Sequence, residues 1–348
     1  MGQAHSGEQC HSCQPAKKRP WWKDRVLWSA GVLAAAFALG RFRPGVTEAL
    51  RHYLSKAGWA VLLGLLLGGI VDRFIPKEYI IRWLAGKHRR TILASAGLGF
   101  LASSCSHGCL ALSMELYKKG ASVPAVITFL LASPWASLSL TLLIVSLMGA
   151  KGFLIVVAAL LIAMTTGFAF QRLEARGLVN PNPHTVALPE QFSIRQDLKR
   201  RFQNKPWTAR ELSDDLRGIA RGSWELAQMV IFWVTLGFSL SAVVGAFLPA
   251  SCWSAYFGPS LPGLLVTMLA ATVIEVCSEG TAPLAIELFR RTGALGNAFA
   301  FLMGGVVTDF TELSLLWANL GKKTVGWFLL VTLPQVFLVG LVLNFLWR

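Results

Sequence analysis

The sequence predicts an all-α integral membrane protein, a polytopic helical bundle with an inverted-topology internal repeat in which each half carries a re-entrant or broken helix hairpin. Three observations predict it. Hydrophobic residues fill 54% of the 348 positions and charged residues only 15%, against about 25% charged in a soluble domain. The charges gather in short runs between long apolar stretches. One stretch of the first half, polar residues included, returns in the second.

The spans come first. A helix needs roughly 20 apolar residues to cross about 30 Å of hydrocarbon. Stretches 58–71 (with its flanks), 121–148, 152–170, 226–248 and 324–347 meet that need. Stretch 26–39 is shorter, and Arg41 and Arg43 follow it rather than a small-residue cleavage site, so it reads as an uncleaved span. Trp21, Trp22, Trp59, Trp207, Trp327 and Trp347 lie near the ends of these runs, as an interfacial belt predicts. The net charge of +15 comes from Lys and Arg that flank apolar runs, the pattern that orients membrane proteins. No soluble-looking stretch carries a basic surface interleaved with exposed aromatics, so nucleic acid is not an expected partner. The six cysteines do not form a disulfide framework. Four lie in or beside apolar segments or in a tail placed inside the cell, where thiols stay reduced.

The expected order is a polar cytoplasmic tail (1–25), an extra span and loop (26–56), a first membrane repeat (57–170), a basic cytoplasmic linker (171–222) and a second membrane repeat (223–348). The repeat rests on CSHGCLALSMELYKKG from Cys105 and CSEGTAPLAIELFRRT from Cys277, 172 positions apart. The same offset pairs Ser106 with Ser278, Gly108 with Gly280, Glu115 with Glu287, and Lys118-Lys119 with Arg290-Arg291. It runs without a gap to Gly149 and Gly321 and to Lys151 and Lys323. Polar identities at fixed spacing are a stronger sign of duplication than apolar ones, and internal symmetry recurs in transporters.

Loop charge sets the topology. Lys77, Arg82, Lys87, Arg89 and Arg90 mark one cytoplasmic loop, and the Arg- and Lys-rich linker 171–222 marks another. Three apolar pieces lie between them, so one of the three cannot cross. Stretch 91–117 has the polar centre SSCSHG and reads as a re-entrant hairpin with its tip at 103–108. Its mate is 261–289, with its tip at 275–280. Three spans per half invert the second copy, and the C-terminus then lies outside. On this reading Arg290-Arg291 face outward, against the positive-inside trend. The alternative is that both polar-centred pieces cross as broken helices. The linker, with Pro181, Pro183, Pro189 and Pro206, reads as a connector with a short amphipathic helix near 209–220.

Polar groups at membrane depth are costly, which makes each a functional candidate. The first tip supplies Ser103, Ser104, Cys105, Ser106, His107 and Cys109; the second supplies Glu275, Cys277, Ser278, Glu279 and Thr281. In the next span Ser133 matches Gly305 and Ser137 matches Asp309, with Glu312 beyond. Cys105 and Cys109, four apart, share one face of a helix, and Cys277 would approach from the other half. Thiolates bind soft metals and metalloids; the plainer reading is that free Cys is a small buried hydrophobe, as expected for Cys252. Glu275, Glu279, Asp309 and Glu312 occur in the second half only, where burial suits a carboxyl to proton carriage; capping, or pairing with Arg290 or Lys322, is the rival. Glu115 and Glu287 read as interfacial ion pairs. Cys10 and Cys13 form one C-x-x-C pair, a weak zinc or copper signal without a partner pair.

At these residues the chain resembles the predicted-permease family that includes the ArsP-type organoarsenical efflux permeases. SCSHGCLALSMELYKKGAS and FLLASPWASLSL carry the resemblance in the first half. EVCSEGTAPLAIELFRRTG and FLMGGVVTDFTELSLLWANLGKK carry it in the second. It covers roughly 58 to the C-terminus, without much of the linker. It implies a multi-pass plasma-membrane permease, not an enzyme, that exports trivalent organoarsenicals, with Cys105, Cys109 or Cys277 in recognition. The expected partners are the lipid bilayer and a small-molecule or metalloid solute; a homo-oligomer is compatible with the sequence, and no cofactor is expected. The binding set is then Cys105, Ser106, His107, Cys109, Ser133, Cys277, Ser278 and Thr281, and Glu275, Glu279, Asp309 and Glu312 carry protons. Two rivals stand beside it: a proton-coupled permease for a divalent cation held by the four acids, and a membrane thiol oxidoreductase using Cys105 and Cys109.

Overall fold

The computed structural model describes residues 25–74, 89–101, 106–118, 120–184, 209–274 and 278–347, and every regular element among them is a helix. Two helices open the chain, α1 (Arg25–Gly40) and α2 (Pro44–Phe74). A pair of short helices follows, α3 (Arg89–Leu101) and α4 (Ser106–Lys118), then a broken pair, α5 (Val123–Ala136) and α6 (Leu138–Met148), and then α7 (Ala150–Ala175). After the linker come α8 (Ala209–Phe247) and the short α9 (Ala250–Phe257). The first pattern then repeats as α10 (Leu261–Ile274), α11 (Ser278–Thr292), α12 (Leu295–Thr308), α13 (Phe310–Leu320) and α14 (Lys322–Leu346).

The offset of 172 carries α5 onto α12 and α6 onto α13 residue for residue. It also carries the starts of α3, α4 and α7 onto those of α10, α11 and α14. The punctuation recurs with them. Ser137 and Asp309 each end one helix and cap the next. Gly149 (φ 60°) and Gly321 (φ 86°) both turn the chain in the left-handed region, which a glycine enters without steric cost.

Helices Ala150–Ala175, Val230–Phe247 and Lys322–Leu346 are each long and apolar enough to cross a bilayer. The pairs α5–α6 and α12–α13 qualify together, bent by 47° and 41°, and α9–α10 is bent by 95°. This is the helical inventory of a polytopic membrane protein. It corrects two details read from the sequence. Stretch 121–148 is not one helix, because Pro134 precedes a residue, Ser137, whose extended backbone (ψ 131°) and side-chain cap restart the helix. The expected helix near 209–220 is the beginning of α8, which runs unbroken past 222; on its polar stretch the i,i+4 pair of Arg221 and Glu225 (3.1 Å) supports it.

Packing does not follow the boundary between the copies. Helices α1, α2 and α8 pack on one another as one group. Within the other group α5 packs on α3, α4 and α7, and α12 packs on α10, α11 and α14. Four contacts between copies close that second group: α7 with α14, α4 with α13, α6 with α11 and, most weakly, α7 with α12. Only α2 against α6 and α8 against α11 join the two groups substantially among the described residues.

The contacts also identify two ends of the molecule. At the linker end, Asn182 beyond α7 donates to the carbonyl oxygens of Tyr117 (2.6 Å) and Ala121 (2.7 Å), and Arg73 of α2 pairs with Asp215 of α8 (3.1 Å). At the C-terminal end, Asn344 of α14 donates to Asn297 (2.6 Å) and accepts from Gly296 N (2.8 Å). There Lys151 lies 5.0 Å from the Phe289 ring.

Candidate functional site

Several expected site residues open half-length helices. Ser106 and His107 lie in the first turn of α4, and Ser278 and Glu279 lie in the first turn of α11. Cys10, Cys13, Ser103, Ser104, Cys105, Glu275 and Cys277 lie outside the described residues. Cys109, one turn into α4, is not in a disulfide and has no exposed surface. Its position in the second copy is taken by Thr281, also buried, whose hydroxyl donates to Ser278 O (3.2 Å). Ser278 Oγ donates to Glu279 Oε2 (3.3 Å), and both residues are buried.

The helix breaks supply the second set. Ser137 Oγ accepts from Leu140 N at 3.2 Å. Asp309 Oδ1 accepts from Thr311 N (2.7 Å) and Glu312 N (3.1 Å). Such caps satisfy N–H groups that a helix start leaves without a partner. Three residues beyond the second cap, Glu312 is 1% exposed, and neither carboxylate oxygen has a hydrogen-bond partner. Ser133 is buried, and its hydroxyl is satisfied within its own helix by Phe129 O (2.6 Å). It lies beside Gly99 near the end of α3. In the second copy Gly305 lies beside Ala271 at the end of α10, the same two positions shifted by 172.

The packing of α6 on α11 and of α4 on α13 links α11 and α4 each to the broken helix of the other copy. Half-helix starts carry partial positive charge, and unwound backbone at membrane depth needs protein or water around it. Among the described residues no group of three His, Cys, Asp or Glu side chains is close enough to hold a metal ion.

One cluster escaped sequence reasoning. Glu287 is ion-paired with Arg290 (3.5 Å) and Arg291 (2.7 Å), as its sequence position suggested, but it is buried rather than interfacial. Tyr53 of α2 donates to its Oε2 at 2.6 Å, and Arg291 also donates to the carbonyl of Gly245 in α8. Tyr53 stacks on Phe238 at 5.4 Å, which joins α2, α8 and α11 at one point. Arg290 and Arg291, the pair that ran against the expected charge bias, share this one buried carboxylate. The other missed polar residues, Asn297, Asn344 and Gln335, stand inside apolar runs. Asn297 holds Phe257 O, Gly258 O and Thr267 Oγ1, and Gln335 of α14 bonds Thr165 and Thr166 of α7. Their signal was the rarity of amides at membrane depth, where they act between helices.

Comparison with known proteins places this arrangement. The ArsP_1 family, described as predicted permeases, matches residues 46–345. A Mycobacterium tuberculosis protein provisionally named a permease is 25% identical over 294 residues, covering 77% of this chain and 67% of the relative. YcgR of Bacillus subtilis, a UPF0718 protein, is 24% identical over 279 residues, covering 78% and 87%. A Streptococcus mutans protein, provisionally named a subunit of a two-component membrane permease complex, is 21% identical over 259 residues, covering 74% and 80%. No solved structure matches the chain significantly.

Proposed function

We propose, from the premise that the chain belongs to the ArsP_1 family of predicted permeases, that it carries a small soft or thiophilic solute across the plasma membrane through one central site. The observation that carries this reading is that half-length helices of the two copies pack on one another, α6 on α11 and α4 on α13. The solute would lie between these helices, touching Cys109, Thr281 and Ser278 and the tip residues Cys105, Ser106, His107 and Cys277. Ser133 would shape the wall beside the first hairpin. A trivalent organoarsenical, moved outward, fits a thiol-bearing site. Glu275, Glu279 and Glu312 would carry protons, with Asp309 holding the start of α13.

The inverted relation of the copies and the re-entrant hairpins belong to the same reading. Asn182 ties the end of α4 to the linker end, and Ile92 near the start of α3 lies against Gly167 in the last third of α7. Both arms of the first hairpin would then open to the linker end. In the second hairpin, Arg291 of α11, paired with Glu287, donates to the carbonyl of Gly245 near the end of α8, and Asn297 ties Thr267 of α10 to the C-terminal end. That hairpin would open to the opposite face, as a two-fold axis in the membrane plane requires.

Flux into inverted vesicles or proteoliposomes tests the proposal. Methylarsenite, arsenite and a divalent cation are supplied separately, with Cys109→Ser compared at equal protein abundance. Saturable methylarsenite movement that falls at least tenfold in Cys109→Ser is expected. Movement of the cation alone, or methylarsenite flux indifferent to Cys109, would overturn the soft-solute site.

A further inference from the structure

The copies are alike in their elements but not in how they meet the α1–α2–α8 group. That group is closed onto the rest from the helix break in the middle of the molecule to the C-terminal end. Gly64 of α2 lies against Ser139 of α6, and Gly237 of α8 lies against the Gly280 backbone of α11. Tyr53, Glu287, Arg291 and Gly245 bond across the same seam. Exchange of the two copies turns these contacts into α8 against α13 and α2 against α4. Neither is a substantial contact among the described residues. Among the described residues the two groups therefore pack through α2 on α6 and α8 on α11 and have no comparable packing through the mirror pair.

We propose that Tyr53, Glu287 and Arg291 form the latch of a gate at the C-terminal end, and that the gate opens by trading this contact for its mirror image, α4 onto α2 and α13 onto α8. The inference rests on the transport reading above, and it moves the working boundary. The motion runs between α1–α2–α8 and the hairpin-bearing group, not between the first copy and the second. Each copy gives one helix to the three-helix group, so a two-fold-related state of similar packing is available to the same chain. Two states of comparable packing with a central site between them satisfy alternating access.

The latch also has suitable energetics. A carboxylate buried with two guanidinium groups and a phenol is strongly destabilised when one partner is removed. Removal of the Tyr53 hydroxyl alone takes away a single hydrogen bond to a charged group and leaves the ion pairs in place. These three side chains act on solute only through the position of α11, so they are positioning residues.

The test uses the full chain in lipid nanodiscs, with spin labels carried on a genetically encoded keto amino acid so that native thiols stay in place. One pair, at Phe42 and Ala150, spans the two groups at the C-terminal end; the other, at Arg217 and Lys118, spans them at the linker end. Electron–electron distance distributions are compared for the parent, Tyr53→Phe and the conservative Glu287→Gln, the second serving if the first does not fold. The expected result is a paired change. The longer Phe42–Ala150 separation and the shorter Arg217–Lys118 separation both gain population, by about tenfold, the scale of one lost hydrogen bond to a charged group. Widening at the C-terminal end without narrowing at the linker end, or no change at either, overturns the proposal. The readout needs no solute. Exchange without methylarsenite flux would count against the transport reading, and flux with no exchange would count against the latch.

Discussion

The first copy restarts its broken helix on a serine and the second on an aspartate, at positions 172 apart and with matching helix boundaries on both sides. Three residues further on, the first copy has Leu140 and the second has Glu312, and both are buried. Cys109 of α4 corresponds to Thr281 of α11 in the same register. The recurring helix boundaries therefore keep their backbone pattern while the side chains at these positions differ. At the matched positions the thiol, Cys109, stands on the first copy, and Glu279, Asp309 and Glu312 stand on the second. On the transport reading proposed above, a solute between them would meet two chemically different walls.

That comparison is broken most directly at Glu312. Because its carboxyl has no hydrogen-bond partner to lose, Glu312→Gln should leave melting within about 1 kcal/mol of the parent, the range of a volume-conserving swap. Solute flux should fall by tenfold or more. Equal flux at matched abundance would show that the acid wall takes no part in transport. A large drop in melting with it would mark Glu312 as structural.

The next contrast concerns how each copy seats its last helix. A methyl group at Gly296 would meet the backbone oxygen of Gly340 at 1.8 Å, whereas one at Gly167 would meet the hydroxyl of Thr128 at 2.0 Å. A side chain can rotate away and a helix backbone cannot. Gly296→Ala should therefore cost more than Gly167→Ala, at or above the upper end of the 1–3 kcal/mol range typical (roughly) of overpacking. Thermal unfolding in detergent measures both. An equal loss would mean that α12–α14 is as compliant as α5–α7.

The smallest expected effect separates the two caps. Asp309 accepts two backbone N–H bonds and places negative charge at a helix start, while Ser137 accepts one. Asp309→Ala should cost about 1–2 kcal/mol and Ser137→Ala about 0.5–1 kcal/mol in melting comparisons. The reverse order would mean that Asp309 is strained in its cap and gains more by release than it contributes.

Much of this was legible in the residues themselves. The apolar runs and the Lys and Arg beside them announced the membrane helices, because span length is set by bilayer thickness. Polar identities in CSHG and CSEG located the repeat, and the same offset paired Ser137 with Asp309, which the structure shows to be helix caps. The break at 137 was hidden, since Ser133, Pro134 and Ser137 sit in a stretch whose hydropathy alone is that of a span. Glu287 was hidden differently. Its pairing with Arg290 and Arg291 is local and readable, but Tyr53 lies 234 positions away and Gly245 contributes only a carbonyl.

The sequence by itself determined which stretches are apolar enough to lie in a membrane and the recurrence of one pattern 172 positions on, because these depend on local hydrophobicity and residue identity. Only the tertiary structure decided which helices form a group. α1, α2 and α8 pack together across the copy boundary, and α11 packs on α8 while α4 has no comparable packing on α2 among the described residues. The physical reason is that a helix apolar on nearly every face has no amphipathic stripe to mark its inner side. Without water to drive association, close backbone approach and buried polar bonds choose the neighbours, as Gly237 does against Gly280 and Tyr53 against Glu287. Those choices exist only between segments far apart in the chain.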